Sequence, residues 1–585
     1  MKQKLSGLII VAAVVFMAAC GKKAPSYTQY IPKESGYVVA MDIKSMVEKL
    51  EKDSLSVENM LEVLKDSSDP SKYGKAIEIW NQFKDAGLDF ENKIYLAAPS
   101  VDMNSGNVNI QVVAGLKDEK KLQQFIAKTH DAPKVTTEGE ISYVTIDGMV
   151  VGWNKEVVMI LGGHTAPHMN DMYPGGDTSV SAPAPAPMPG GNPTVLADLK
   201  KYFALKKDQS IASLDIFTDL VAQKGDISVF TNSSGLTGSQ ANPALTMMPK
   251  VKELLEGIYS TSILDFENGK VVMKTQTFVG PKLADILKKY SGPTVDMNLV
   301  DIYPSNNVGG VVAFSFKPEL IPEMLRQAGV DALADGFLSQ QGLTTADIIK
   351  AFKGDFAIVF SDFGMTKKEK KNMENGASYT SWEPSGKLVV AIRIGDKAAF
   401  EKLLTLSTKS GMMLRNGNRL IPARNGVADT SSSMFIGLEN DLLVVSNDNA
   451  VYDAYISKKG KIAISDDARN IIKGSSAAFF MDAQNILNAI PENMFDTTAM
   501  HEKNVLASSK SLFKTMDFTM GNFDGKKIEG KGELTMVSDK NSLPQMVRFL
   551  MYAASEMKMK QAEDHARWNM NSQENTDSVP KMPVH

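Results

Sequence analysis

One cysteine stands in 585 residues, at position 20. A chain so poor in thiols can close no intramolecular disulfide and build no thiolate metal cluster. Histidine is nearly as scarce, limited to His130, His164, His168, His501, His565 and His585. His164 and His168 stand four apart with Asp171 close by, a spacing that suits a metal on a helix. Here it falls in a Gly/Pro-rich stretch that offers no rigid scaffold, so no metal ligand is assigned. No G-x-S-x-G elbow, P-loop, dinucleotide fingerprint or acidic calcium loop occurs. Ser361-Asp362-Phe363-Gly364 carries the letters of a kinase motif without the segments that accompany it. Neither sign of charge dominates: the net charge is −4 and acidic and basic residues are interspersed. There is no basic stripe, and no nucleic-acid partner is expected. Past residue 19, no apolar run reaches the roughly 20 residues that span a bilayer. No cofactor and no catalytic residue is assigned.

What is present begins with MKQKLSGLIIVAAVVFMAAC. Lys2 and Lys4 form a positive end, Leu8 to Phe16 an apolar stretch, and Met17-Ala18-Ala19 a small-residue approach to a cut. Residues 1–19 read as a signal peptide. Ala18-Ala19-Cys20 resembles a bacterial lipobox, with Met17 where leucine is usual. The resemblance implies that Cys20 is the lipid attachment site and the mature N-terminus, anchored by more than one acyl chain. With Cys20 modified, no thiol is left to act as a nucleophile.

The body of the chain repeats itself. YIPKESGYVVAMDIK (30–44) is matched by IYPSNNVGGVVAFSFK (302–317), with Val38, Val39, Ala40 and Lys44 identical to Val311, Val312, Ala313 and Lys317. IQVVAGLKDEKKLQQFI (110–126) is matched by LVVAIRIGDKAAFEKLL (388–404). In each, period-2 alternation predicts a strand, Asp118 or Asp396 an N-cap, and Leu122/Phe125/Ile126 or Phe400/Leu403/Leu404 a helix face. FENGKVVMKTQTF (266–278) and FDGKKIEGKGELTM (523–536) close the halves, each a glycine turn followed by a strand. VVGWNKEVVMILGG (150–163) and MFIGLENDLLVVSND (434–448) read as hairpins. AAFFMDAQNIL (477–487) echoes VVAMDIKSMVE (38–48), and DISVFTNSSGL (226–236) is a weaker copy.

Hairpins mixed with helices predict an α+β fold. The expected layout is two internally repeated domains, 30–295 and 296–558, each a mainly antiparallel sheet with helices packed on one face. Residues 20–29 form the lipid tether. The Pro/Gly-rich stretch 164–194 is expected as a mobile loop. Residues 559–585, Trp568 included, are expected as a polar disordered tail. Asp265/Glu267 and Asp517/Asp524 are the carboxylate pairs considered for glycoside chemistry, which needs only geometry. The basic loop 365–376 reads as a solvated hairpin end. Thirty-three methionines suit adaptable packing. Asp53-Ser54-Leu55, Asp496-Thr497-Thr498 and Asp577-Ser578-Val579 resemble extracytoplasmic O-glycosylation sites of Bacteroidetes.

The lipobox, the opening YIPKESGYVVAMDIKSM and its later echo together resemble a Bacteroidetes lipoprotein family catalogued as domain of unknown function 4836. The family has no established activity. The resemblance implies an envelope location and a repeated fold, and no mechanism. The reading that follows is a membrane-anchored envelope lipoprotein with a non-catalytic binding or scaffolding role. Its partners would be the membrane, through the N-terminal lipid, and an envelope protein or glycan. The alternative is an envelope hydrolase of glycan or peptide acting through paired carboxylates. Gly21 after the cysteine permits the outer membrane. CGKKAPS lacks the acidic cluster of a surface-export signal, which favours the periplasmic face over the cell surface.

Overall fold

The computed structural model describes residues 24–61, 71–102, 107–129, 133–146, 148–165, 193–236, 249–305, 307–371, 376–429, 433–459, 464, 466–495 and 499–577. Residues 1–19, Cys20 and most of the 164–194 stretch lie outside them.

The first half contributes β1 (Tyr37–Met41), β2 (Ile94–Asp102), β3 (Asn107–Gly115), β4 (Thr136–Glu138), β5 (Ile141–Ile146), β6 (Met149–Trp153), β7 (Val157–Thr165), β8 (Ile227–Asn232), β9 (Tyr259–Glu267) and β10 (Lys270–Phe278). The second contributes β11 (Val308–Ser315), β12 (Phe352–Lys371), β13 (Ser378–Ile394), β14 (Met413–Asn416), β15 (Arg419–Arg424), β16 (Val427–Ala428), β17 (Phe435–Glu439), β18 (Leu442–Ser446), β19 (Ala477–Met481), β20 (Phe513–Met520) and β21 (Lys527–Met536). All pair antiparallel, so the fold is α+β as the sequence predicts.

Across the sheet the order in the first half is β4-β5-β6-β7-β3-β2-β1-β8-β9-β10. β10 then pairs with β21, from Lys270 opposite Thr535 to Phe278 opposite Lys527. The second half continues as β21-β20-β19-β11-β12-β13-β18-β17-β15, with β14 and β16 both on β15. Strands from the two spans thus belong to one continuous sheet. At the seam Gly530 faces Thr275, and a Cβ there would sit 2.5 Å from the Thr275 hydroxyl. Only glycine allows so close an approach.

The local signals act as the sequence suggests. Asp118 and Asp396 cap helices by accepting from the amides of Lys121 and Ala399, and Asp42 and Asp482, not singled out from sequence, do the same for Ser45 and Asn485. Asn154 closes the β6–β7 turn by accepting from the amides of Glu156 and Val157. Asn440, at φ +56°, turns β17 into β18.

Helices cover both faces of the sheet, which corrects the one-face expectation. Alternation along β7 sends Val157, Met159 and Leu161 into one core with Leu199 and Phe217, and Val158 into another with Leu122 and Ile126. Along β18, Leu442 and Val444 meet Tyr452, while Leu443 and Val445 meet Phe400 and Leu404. A period of 2 gives two faces, and both faces here are apolar enough to need a cover.

The C-terminal stretch is also corrected. One helix runs Ser542–Asp577, through residues expected as a tail from 559. Its polar side chains have a partner in helix Met500–Leu512: Glu556 lies 2.6 Å from His501 Nδ1 and Glu563 3.2 Å from its Nε2, and Lys560 pairs with Glu502. Side chains that look solvated in sequence are the glue between two helices.

The same long helix ties the halves together. Leu543 packs in a cluster with Leu512 and Met536 of its own half and Leu50, Leu55, Phe266 and Val271 of the other. Leu543→Ala should cost about 2–5 kcal/mol. Because the cluster is shared, denaturant melting of a variant that keeps Trp153 alone, followed by its fluorescence, should report the loss in the first half as well as in the second.

Candidate ligand site

In each half, three helices lie between the first and second strands. The first half has Ile43–Lys52, Val57–Leu61 and Ser71–Lys84. The second has Leu320–Ala328, Asp331–Gln340 and Thr345–Ala351. Under each set lies a cavity, about 510 Å³ in the first half and about 560 Å³ in the second. Both fall within the roughly 300–1,000 Å³ usual for small-ligand sites.

The floor of the second cavity is set by strand alternation. Val311 and Ala313 of β11, Ala357 of β12 and Ala391 of β13 point into the main core. Their neighbours Phe314, Phe356 and Ile392 therefore point the other way and line the cavity. Phe314 and Phe356 stack with centroids 4.7 Å apart. Leu325, Leu338 and Ile349 close it from the helices. The lining is almost wholly carbon.

The first cavity is apolar inside, with Val47, Leu50, Trp80, Phe83 and Phe90, but its rim is charged. Lys44 pairs with Glu91 at 2.5 Å and Lys84 with Glu58 at 2.8 Å. Trp80 Nε1 also donates to Glu58, at 2.8 Å. The Lys84 ammonium and surrounding donors hold the Glu58 carboxyl down at about 2.

The ionisable clusters elsewhere are occupied by structural work. Asp226 is buried at the start of β8 and accepts from Lys49 Nζ at 2.6 Å, Ser45 Oγ at 2.7 Å and the Phe266 amide at 2.7 Å. Burial opposes its charge, but these donors prevail and hold its pKa below the usual carboxylate range. Arg393 of β13 bonds Asp296 and Asp441, each at 2.9 Å. His501 is held above the ordinary imidazole range by Glu556 and then Glu563. Its two ring nitrogens face different carboxylates, a clamp and not a metal-binding geometry. Among the described residues no cluster of three or more His, Cys, Asp or Glu is placed to hold a metal ion.

The carboxylates singled out from sequence take separate partners. Asp265 bonds Lys49 at 2.9 Å, and Glu267 lies 3.8 Å from Lys270. Asp524 accepts from the backbone amides of Lys526 and Lys527 in a turn. Asp517 is buried in β20 opposite Glu533. Ser361 of the kinase-like letters is buried against the Tyr303 hydroxyl. Ser54 sits exposed in a left-handed turn at φ +57°. Cys20, His168, Asp171, Thr497 and Ser578 lie outside the described residues; His164 is in β7.

Residues 27–170 match the family described as domain of unknown function (DUF4836). No curated protein matches. Among solved structures, crystal form III of TP0453 aligns at 8% identity and TM-score 0.23, covering 47% of this chain and 90% of that one. Crystal form I aligns at 8% and 0.21, covering 47% and 89%. A likeness this slight carries no argument about fold or function.

Neither cavity was legible from sequence. Phe314 reads as an ordinary strand residue within VVAFSF, and the layer above it carries no motif. The available signal was DALADGFLSQ, a short helix that carries leucine and phenylalanine between Gly329 and Gly342.

Asp517 gives a pH test of the sheet. Burial, then the nearby Glu533 charge, push its pKa up to about 6. The folded state therefore binds a proton that the unfolded chain releases near pH 4. The penalty is absent below pH 4, grows between 4 and 6, and is complete above 6. Asp517→Asn should stabilise the protein at pH 7.5 by up to roughly 2–3 kcal/mol, and the gain should vanish at pH 3.5 in urea titrations.

Proposed function

We propose that this chain is a non-catalytic binding protein of the cell envelope, built from two copies of one α+β unit and held to the outer membrane by lipid on Cys20. The observation that carries the binding role is the pair of apolar cavities at the same place in both halves. Two independent packing defects of this size would not be expected at matching positions in close-packed interiors. The duplication is supported by strand order. β7-β3-β2-β1-β8-β9-β10 and β18-β13-β12-β11-β19-β20-β21 visit the chain in the same sequence within their halves. The location rests on the lipobox-like Ala18-Ala19-Cys20, with the periplasmic face favoured by the residues that follow it.

An environment-sensitive naphthalene dye should bind at two sites per chain. Val47→Trp, which fills the first cavity, and Ile349→Trp, which fills the second, should each remove one site and leave the fold intact by circular dichroism. Unchanged stoichiometry in both variants would overturn the binding role. In cells, Cys20→Ser should move the protein from the membrane to the soluble fraction; continued membrane partition would overturn the lipid anchor.

A further inference from the structure

We infer that the second-half cavity takes the hydrocarbon chain of an amphiphile, and that helix Asp331–Gln340 is the lid beneath which the chain enters. This deepens the binding reading above and rests on it.

The lining selects the ligand. Its two polar side chains are already engaged: Asp355 accepts from Ser315 Oγ at 2.5 Å, and the Thr345 hydroxyl donates to Asp335. A polar group brought inside would be buried without a partner. Water fares no better, because a buried water needs two to four polar partners. A dry empty space forfeits dispersion contacts on every wall. Hydrocarbon restores them at no polar cost. No charged side chain lines the interior except Asp355, so a headgroup stays at the mouth.

The helix above it has the makings of a lid. Ala334, Phe337 and Leu338 line the cavity, yet no residue of the helix is buried. Leu333 is 73% exposed and Phe337 67%, and Ile321 on the adjoining helix is 47% exposed. Phe337 and Ile321 thus face the cavity and the solvent at once, forming an apolar lip. The helix is bounded by Gly329 at φ +73° and Gly342 at φ +70°, both in the left-handed region that glycine adopts freely. It is a short, largely exposed segment between two glycines, tied to the next helix by the Thr345–Asp335 bond and with little buried packing to break on opening.

The test uses the full mature chain carrying Cys20→Ser, so that a fluorophore can be attached through Leu333→Cys alone. Palmitic acid and hexadecanol should both displace the naphthalene dye from the second-half site. Phe337→Asp should weaken both at least tenfold, and in Ile349→Trp or Leu325→Trp neither should alter the emission of the dye that remains at the first-half site. Comparable binding of the acid and the alcohol supports a site that reads the chain; binding of the acid alone would mean a headgroup site and overturn the assignment. Displacement by a fused-ring hydrocarbon but by neither chain would overturn it too, while the two dye sites would still stand for the broader binding role. The emission of the fluorophore carried by the Leu333→Cys variant should shift when palmitate is added. The same fluorophore carried by Val427→Cys, at an equally exposed position, should not respond. Displacement with a silent probe in the Leu333→Cys variant would overturn the lid and leave the cavity site.

Discussion

The ladder between β10 and β21 is the constraint on which the rest depends. It joins what the sequence presents as two spans into one sheet, strand against strand over nine residue pairs. The seam is also braced by side chains: Lys270 reaches Glu533 at 3.1 Å and Gln276 reaches Glu529 at 3.2 Å. With the sheet continuous there, the helix that follows each seam strand leaves toward the opposite half. Helix Pro281–Tyr290 packs on helix Leu320–Ala328, and helix Ser542–Asp577 packs on helix Ile43–Lys52. Each cavity therefore has as its first wall a helix held in place by the other half. Neither cavity keeps its shape unless the seam holds.

Buried charge serves the same end. Lys49, on helix Ile43–Lys52, reaches down to Asp226, just ahead of β8, and Asp265 on β9 and fixes the helix over the sheet. Such a cluster is costly to desolvate, and breaking it by removing one partner typically costs about 3–5 kcal/mol. Its worth here lies in register: the helix cannot slide without stranding Asp226. The second half has no equivalent lysine under its first helix among the described residues. Leu320–Ala328 is held by its neighbours alone, and the helix after it is freer still.

What the sequence made legible follows physical range. Period-2 runs, aspartate caps and glycine turns act over a few residues, and those readings match at β1, β3, β13, Asp118, Asp396 and the β6–β7 and β17–β18 hairpins. The failures are all long-range. Lys560 and Glu563 look like a solvated tail because Glu502 and His501, their partners, lie more than fifty residues away. The two-sided covering of the sheet was missed because alternation by itself points to one buried face, and what covers the other, with Val158 and Ile160 on β7 and Leu443 and Val445 on β18, is helices elsewhere in the chain. The cavities were invisible for a deeper reason: a void is a property of how helices sit on a sheet, and no residue type encodes it.

The two cavities show how one architecture can be closed in two ways. Three short helices laid over a twisted sheet leave space between their apolar faces and the strands, since ridges and pleats do not mesh completely. In the first half the opening is ringed by Lys44–Glu91 and Lys84–Glu58, pairs that lie in water and are individually weak. They present charge to anything approaching. In the second half the rim is Ile321 and Phe337, and what approaches meets carbon. The interiors are alike, so the difference in what each admits resides at the rim. An apolar lip on a hinged helix is tolerable on a free-standing surface only at some risk of aggregation. On the lipid-anchored reading proposed above, that lip would meet acyl chains more often than another copy of the chain, and the rim would be a function instead of a defect.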